Sequence, residues 1–266
     1  MRRALTNRCN LVLALVGTLI AGCIAGPSTN LSIDESAAGG GYLPTMGDRV
    51  VMATHRFRQE DFAAGKKAAL AEFSNANDSF GQARRTYFLD NADEHVVVEV
   101  SFSHSASDPD TWIRSDSRNE ADVVVAPFYR EPVDLFHLTV AQVHDTPATA
   151  SYLPRAGDRA IIFTHRFTEE GYEEGKRVVT EGFSKAIDKS GQTRRTYFTD
   201  DRETRTVIVF SFFHADSTTD DWLSHSERHK VLSTLEPLRR APLEVYHVTV
   251  EDIHDAQRKG TKSVNK

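Results

Sequence analysis

The pattern of hydrophobic and polar positions along the 266-residue chain predicts one succession of strands and helices, and the same succession then occurs a second time. Each succession begins with a Gly-Asp turn and a run rich in β-branched and aromatic residues, which predicts a strand. A stretch follows in which apolar residues recur at helical spacing, for example Phe62, Ala69 and Phe73. Two further apolar runs separated by a polar turn predict a β-hairpin, and a second helix and a last strand complete the unit.

The pattern places these elements at corresponding positions in the two successions. In the first, strands are predicted over 50–57, 84–89, 96–102 and 133–140, and helices over 59–76 and from 107 to the residues before Pro127. In the second, strands are predicted over 160–167, 194–199, 206–213 and 243–250, and helices over 169–187 and from 217 to the residues before Pro237. The order β, α, β, β, α, β is the split βαβ arrangement of ferredoxin-like folds.

The two successions are copies of one sequence. GQARRTYFLD at 81–90 returns as GQTRRTYFTD at 191–200, and the segments 42–147 and 152–257 align without a gap. Of the 106 aligned positions, 41 are identical. A unit of this length is a whole domain, since solenoid repeats have periods of about 20 to 50 residues. The chain is therefore predicted to contain two tandem domains with these boundaries.

A single unit of this kind leaves one face of its sheet uncovered, because both helices lie on the other face. Along the third strand Val98, Val100 and Phe102 share one face, so an apolar row needs a cover. We therefore predict an α+β fold in which the two ferredoxin-like βαββαβ repeats close their sheets face to face, as an intramolecular dimeric α/β barrel. Such a chain is a monomeric pseudo-dimer.

The N-terminus has the pattern of an export signal. Arg2, Arg3 and Arg8 precede an apolar run over 11–20, which is shorter than the roughly 20 residues that span a bilayer. The run ends in Leu-Ile-Ala-Gly-Cys at 19–23, which resembles the lipobox of bacterial lipoproteins.

The lipobox resemblance implies that residues 1–22 are removed and that Cys23 is lipidated. Residues 24–41 have the glycine-containing composition of a flexible tether, so 23–41 is predicted as the lipidated cysteine and its tether. It also implies an anchor in the cell envelope, and Ile24 after the cysteine implies the outer membrane, facing the periplasm, in a Gram-negative host. The alternative is an ordinary signal peptide cleaved near Ala25. Residues 258–266 have the composition of a polar tail.

Charge and cysteine content narrow the functional classes. The chain has a net charge of −6, and loss of 1–22 leaves 29 basic against 38 acidic residues, or −9. This balance argues against a nucleic-acid partner. Cys9 leaves with the signal and Cys23 carries the lipid, which excludes an internal disulfide, a cysteine nucleophile and a zinc site built on cysteine. The sequence also lacks the serine-hydrolase elbow, the P-loop, the dinucleotide fingerprint and the metalloprotease helix motif.

Both copies resemble domains of the antibiotic biosynthesis monooxygenase superfamily, whose members pair as dimeric α/β barrels. The resemblance is carried by FTHRF at 163–167, SFFH at 211–214, DWLS at 221–224, LEPL at 235–238 and LEVYHV at 243–248. It covers nearly all of each repeat. It implies a site for an aromatic or similarly apolar small molecule between helices and sheet, and an oxidation that often proceeds without a prosthetic cofactor.

The resemblance also points to individual residues. Haem-degrading members have an asparagine on the first strand, where this chain has His55 and His165, and a tryptophan early in the second helix, where it has Trp112 and Trp222. Their axial histidine is missing from both copies. Haem degradation by the usual route of these relatives is therefore not expected.

Further histidines are candidates for a site. On one continuous helix Trp222, His225 and His229 would share a stripe, and the two histidines could bind a metal ion or haem iron. The alternative places both histidines at the solvent edge of an amphipathic helix. His165, and His214 at the end of the apolar row of its strand, are either a general base and the polar lining of a pocket, or histidines satisfied by hydrogen bonds.

Arg85 and Arg195 of the repeated RRTYF motif also have two interpretations. On a covered face each arginine needs an anionic partner, which is either an acidic small molecule or a carboxylate of the protein. Ion pairing across the seam between the two halves is the structural alternative.

We therefore expect a lipid-anchored envelope protein with a monooxygenase-like small-molecule site. The predicted catalytic residues are His165, His225 and Trp222. The predicted ligand-binding residues are His55, Trp112, Arg85, Arg195, His214 and His229. No metal and no cofactor is predicted, with haem held by the histidines of the second helix as an alternative. The other alternative is a non-catalytic ligand-binding or interaction module of the envelope.

Overall fold

The computed structural model describes residues 41–146 and 152–256. The predicted signal peptide, the lipidated Cys23 and the polar tail lie outside the described residues. Within the part described, no helix is long and apolar enough to cross a membrane.

Each repeat contains the predicted order of strands, with helices between them. In the first repeat the elements are β1 (Arg49–Arg56), α1 (Phe62–Phe80), β2 (Ala83–Asn91), β3 (Val96–Ser103), α2 (Pro109–Ile113), α3 (Asp116–Val125) and β4 (Asp134–Asp145). In the second they are β5 (Arg159–Arg166), α4 (Tyr172–Arg177), α5 (Phe183–Ser190), β6 (Arg195–Asp201), β7 (Thr206–Phe213), α6 (Thr219–Leu223), α7 (Ser226–Leu235) and β8 (Glu244–Asp255). Short 3₁₀ turns precede α1 (Gln59–Asp61) and follow α3 and α7 (Ala126–Phe128 and Glu236–Leu238).

The eight strands close into one antiparallel barrel, in the order β1, β3, β2, β8, β5, β7, β6, β4 and back to β1. Strands β4, β1, β3 and β2 are neighbours and form the sheet of the first ferredoxin-like unit, and β8, β5, β7 and β6 form that of the second. The predicted α+β fold, with two ferredoxin-like repeats in an intramolecular barrel, is confirmed.

Strands β4 and β8 join the two sheets. The first part of β4, from Asp134 to Thr139, pairs with β1, and its second part, from Thr139 to Asp145, pairs with β6. β8 connects β5 to β2 in the same way. The predicted ends of these strands, at 140 and 250, are wrong, because the more polar residues that follow continue the strand and pair with the other repeat.

Side chains from both repeats fill the barrel. The predicted row of Val98, Val100 and Phe102 points inward and belongs to one buried apolar cluster with residues of the second repeat. Phe102 packs against Tyr197 with ring centroids 5.0 Å apart, and Tyr87 packs against Phe212 at 5.3 Å. Aromatic pairs of this kind contribute about 0.5–1.5 kcal/mol beyond the burial of their area. The barrel interior is thus a core that the two repeats share.

Helices cover the outer face of each half of the barrel, and the predicted second helix is divided in two in both repeats. Ser115 and His225 have extended backbone conformations and are the N-caps of α3 and α7. The Ser115 hydroxyl accepts a hydrogen bond from the backbone N–H of Arg118 at 3.2 Å, as an N-cap side chain does. The prediction of one continuous helix is wrong because these caps begin a new helix.

The long helix differs between the repeats. α1 is regular along its length, whereas a π-helical turn, Val178–Gly182, separates α4 from α5. Gly182 lies close to α7, and a Cβ at this position would come within 3.1 Å of Val231. Turns of this type are rare and often lie at functional sites. The interruption distinguishes the second repeat from the first.

Replacement of Phe102 by alanine tests the shared core. Removal of a ring that contacts the other repeat is expected to lower the free energy of unfolding by about 3–5 kcal/mol. Both repeats should still unfold in one transition, which urea denaturation followed by fluorescence and circular dichroism would measure. The matched control is Leu135→Ala at a partly exposed position, with an expected change within about 0.5 kcal/mol. A loss for Phe102→Ala below about 1 kcal/mol, or two separate transitions, would contradict this core.

Candidate functional site

The first and fifth strands place His55 and His165 on the outer face of the barrel, beneath the helices. Side chains alternate along β1, so Val50 and Met52 point into the barrel while Val51 and Phe57 contact the helices. His55 lies on the same side of β1 as Val51 and Phe57 and therefore points out of the barrel, and His165 does the same in β5. Both imidazoles are completely buried. This space between helices and sheet is the position at which the sequence resemblance predicts a small-molecule site.

In the first repeat this space is closed by an internal ion-pair network. Arg118 Nη1 donates to Glu99 Oε2 at 2.9 Å, and His55 Nε2 lies 3.4 Å from the same oxygen. Ser101 Oγ donates to the other carboxylate oxygen at 3.1 Å, and His55 Nδ1 lies 2.8 Å from the Tyr129 hydroxyl. The buried histidine, arginine and glutamate therefore satisfy one another.

The electrostatics of this network keep Glu99 ionised. Burial raises the pKa of its carboxyl, but the charge of Arg118 and the hydrogen bonds of the network outweigh burial and lower the pKa to about 2. Burial lowers the pKa of His55, although Glu99 opposes that change. At neutral pH Glu99 and Arg118 thus form an ion pair beside a neutral imidazole, and Arg118 Nε also donates to Asp122 at 3.2 Å.

The second repeat retains the cation and the imidazole of this network but not its carboxylate. Alignment of the copies places His165 and Arg228 at the positions of His55 and Arg118, whereas Val209 stands where Glu99 is. Neither ring nitrogen of His165 has a hydrogen-bond partner among the described residues. Arg228 Nε also lacks a partner there, and Nη1 donates to the Leu223 carbonyl at 2.8 Å.

A second cation replaces a neutral partner nearby. Arg239 stands at the position of Tyr129, which bonds the histidine of the first repeat. Burial, reinforced by the charges of Arg239 and Arg228, lowers the pKa of His165 to about 3. His165 is consequently a neutral imidazole at neutral pH, in a buried region with excess positive charge.

Aromatic rings line the same region. Trp222 is buried against Phe183, with ring centroids 6.3 Å apart, and His225 stacks on Trp222 at 6.5 Å and 25°. Trp222 Nε1 and His225 Nδ1 are buried atoms without a hydrogen-bond partner in the described part of the chain. The structure thus brings His165, Trp222 and His225, the three predicted catalytic residues, to one helix-covered face.

The predicted stripe of Trp222, His225 and His229 is not formed. His225 lies at the cap between α6 and α7 and is half-buried, whereas His229 is exposed on α7. No group of three or more His, Cys, Asp or Glu side chains that could hold a metal ion occurs within 41–146 and 152–256. The described residues therefore offer no third protein ligand for a metal ion bound by His225 and His229.

His214, a predicted ligand-binding residue, lies apart from His165. His165 pairs with Val207 at one end of the β5–β7 ladder, and His214 follows Phe213 at the other end. His214 Nδ1 lies 3.2 Å from the Tyr152 hydroxyl, which in turn hydrogen-bonds to Asp158. In the first repeat His55 is tied into its network, and Trp112 is buried against Phe80 at 5.3 Å.

Arg85 and Arg195 form ion pairs across the seam. Arg85 donates to both carboxylate oxygens of Asp255, at 2.7 and 2.6 Å, and Arg195 Nη2 donates to Asp145 at 2.7 Å. Each arginine belongs to one repeat, and its partner ends the bridging strand of the other. The structural alternative for these residues, pairing between the halves, is therefore present.

The sequence prediction missed Glu99, Arg118, Arg228 and Arg239. A signal for them exists in the repeat itself. A glutamate within an otherwise apolar strand stands at 99 and a valine at 209, while the arginine is identical at 118 and 228. A search for aligned positions at which one copy has a charged residue and the other does not would have identified this region.

Comparison of the sequence with known protein families gives no match, and no curated protein matches it. Solved structures match over most of the chain. An anthrone oxidase-like protein has a TM-score of 0.64 at 12% sequence identity, with 80% of this chain and 95% of that chain covered. A proposed monooxygenase from Fusobacterium nucleatum has a TM-score of 0.59 at 12% identity, with coverages of 78% and 94%. Another from Lactobacillus acidophilus has a TM-score of 0.54 at 8% identity, with coverages of 80% and 97%.

The chain has the fold of these monooxygenase-like α/β barrels. The resemblance predicted from the sequence is thus confirmed for the fold. At such low identity the likeness extends to the fold alone, and the chemistry of this protein has to be argued from its own residues.

Replacement of Glu99 by glutamine tests the closed network of the first repeat. Removal of one partner from a buried ion pair is expected to cost about 3–5 kcal/mol of the free energy of unfolding at pH 7. The folded-state pKa of about 2 lies below the ordinary value of 4.5, so this stabilisation is present above pH 4.5 and is lost as the pH falls toward 2.

The difference between the wild type and Glu99→Gln should therefore narrow over that pH range, as urea unfolding at successive pH values would measure. The control Glu120→Gln, at an exposed position of α3, is expected to change stability by less than about 0.5 kcal/mol. A difference that stays constant from pH 7 to pH 2 would show that Glu99 is not held ionised by its neighbours.

Proposed function

We propose that the second repeat binds an aromatic or similarly apolar small molecule between its helices and the outer face of its half-barrel, and that it oxidises this molecule with dioxygen. One observation carries the proposal. His165 and Arg228 have buried polar atoms without partners, whereas His55 and Arg118 are bonded to Glu99. Trp112 Nε1 and Trp222 Nε1 both lack a partner among the described residues, so the two copies differ at the histidine and arginine positions. Because nearly all buried polar groups in proteins are hydrogen-bonded, that difference favours a ligand in the second repeat.

The residues suggest distinct roles. Trp222 and Phe183 present aromatic surface to the ring of a ligand, and Trp222 Nε1 is a free donor. His165, neutral because of its burial, can accept a hydrogen bond from a phenolic or enolic hydroxyl. As an anion forms on the ligand beside it, the opposite charge raises the pKa of the imidazole, which can then take the proton.

The resemblance to monooxygenases, in which oxidation often needs no prosthetic group, supports this reaction class. Anthrone is a suitable probe because its ring methylene loses a proton readily to give a phenolate. Reaction with dioxygen gives anthraquinone and water: one oxygen atom becomes the new carbonyl, and the other leaves as water with the two methylene hydrogens. In this scheme the protein holds the substrate, accepts the first proton and excludes bulk water.

The cellular setting in this proposal is the envelope, where a lipid on Cys23 would hold the protein at a membrane. Its support is the lipobox resemblance at 19–23. A ligand site on an anchored domain would then act on molecules that reach the envelope.

A second candidate function is binding without catalysis. The feature that favours it is the low pKa of His165, about 3, since a general base works best when its pKa lies near the working pH. In this case the same helix-covered face would retain or present the small molecule without changing it.

Dioxygen uptake with anthrone tests the enzymatic proposal. The full chain is expected to consume one dioxygen per anthrone, and His165→Gln should lower kcat by about 10²-fold or more, the range for loss of a general base. Trp222→Phe should mainly raise KM, since it removes ring area and one donor. The matched control is Trp112→Phe in the first repeat, with the rate expected to stay unchanged.

One result would contradict the proposed oxidation, and another would contradict the location of the site in the second repeat. Absence of uptake above the buffer rate while anthrone still binds would favour the binding module. An equal loss of activity for Trp112→Phe and Trp222→Phe would mean that the second repeat does not hold the site alone.

A further inference from the structure

We infer that the ligand of the second repeat carries a carboxylate, which Arg228 binds in the place that the Glu99 carboxylate occupies in the first repeat. The ligand class is thus a small aromatic carboxylic acid. The inference rests on the proposed function, because it assigns a chemical group to the molecule bound at that same face.

The first repeat supplies the template. There Arg118 is almost fully buried, and three groups of the protein surround its carboxylate partner: Arg118 itself, His55 and Ser101. The arginine also lies over the ring of Phe73, with its guanidinium carbon 4.0 Å from the centroid. Arg118 Nε also donates to Asp122 Oδ2 at 3.2 Å, so two carboxylates pair with this guanidinium, the buried Glu99 and the more exposed Asp122.

The second repeat has the same cation in the same place, and no carboxylate among the described residues neutralises it. Arg228 is only 6% exposed and lies over the ring of Phe163, with its guanidinium carbon 5.1 Å from the centroid. It forms no ion pair with any residue of the described part of the chain, because Val209 takes the place of Glu99 and Leu232 that of Asp122. A buried, uncompensated arginine is unfavourable, and its guanidinium does not lose its proton in proteins. An anion is therefore the partner that this environment lacks.

Neighbouring groups favour an organic anion over a simple inorganic one. The planar guanidinium fork matches a carboxylate, and His165 offers two unpartnered ring nitrogens. Arg239, at the position of Tyr129, adds positive charge near His165. Trp222, buried beside these groups, supplies ring surface for the apolar body of the ligand. An inorganic anion would use the charge but leave the aromatic surface without a partner.

The experiment measures affinity by isothermal titration calorimetry with 2-naphthoate and with its neutral isostere 2-naphthamide, using the full chain. The wild type is expected to bind 2-naphthoate at least about tenfold more tightly, the effect of one charge-assisted hydrogen-bonded pair. Val209→Glu provides an internal carboxylate, as in the first repeat, and should remove that preference. Arg228→Gln removes the cation and should do the same, which covers the case in which Val209→Glu does not fold.

The matched control is Thr234→Glu, which adds the same charge at an exposed position of α7 and should retain the preference. Equal binding of both probes by the wild type, or a preference that survives Val209→Glu and Arg228→Gln, would overturn the inference while leaving an apolar-ligand site in place. Binding of neither probe would contradict the inference and the proposed site together. Sulfate that competes fully with 2-naphthoate would overturn the assignment to an aromatic carboxylate, since it would indicate a general anion site.

Discussion

The structure depends on one geometric constraint: strands β4 and β8, each of 12 residues, extend beyond the other strands of their own sheet. Each strand pairs with its own repeat along its first half and with the other repeat along its second half. This leaves no free sheet edge between the halves and places the two uncovered faces against each other. Arg85 with Asp255 and Arg195 with Asp145 add an ion pair at the far end of each bridging strand. The apolar interior then leaves water only if both halves are present.

The filled interior determines where chemistry can take place. Tyr87, Phe102, Tyr197 and Phe212 occupy the centre of the barrel, so a ligand has to bind on the outer faces, beneath the helices. Duplication gives two such faces within one cooperative fold. The first is closed by the ion-pair network around Glu99. The second keeps the buried imidazole and guanidinium without that carboxylate and also contains the π-helical turn, and these differences concentrate the candidate chemistry in one repeat.

Features set by local pattern or by the repeat were predictable from the sequence. Val98, Val100 and Phe102 recur with a period of two, which predicts a strand with one apolar face. Each βαββαβ unit leaves that face uncovered, so the presence of two units predicts that they close into a barrel. The extension of β4 past Val140 was not predictable from local pattern, because the segment looks like a loop until its hydrogen-bond partners in the other repeat are known. The division of the second helix was missed because the surrounding residues have helical composition. The break comes from the extended backbone conformation of Ser115 and His225, which local composition does not reveal.

The residues of the candidate site also differ in whether local sequence or long-range contacts reveal them. His165 and Trp222 were identified from a resemblance that encodes their position on a strand and a helix. Arg228 was missed because its importance comes from Val209, a residue on another element that lacks the carboxylate of Glu99. His214 was grouped with His165, although the register of β5 and β7 places the two histidines at opposite ends of the ladder.

Site-specific cleavage of the chain between the repeats tests the central claim, that the two halves share one core. A protease recognition site is inserted within 147–151, the native protein is treated with the protease until the chain is cut, and light scattering after gel filtration gives the mass of the product. The account predicts that both fragments stay together as one species and unfold in a single transition. Separation into two folded monomers, each retaining its circular dichroism spectrum, would contradict it.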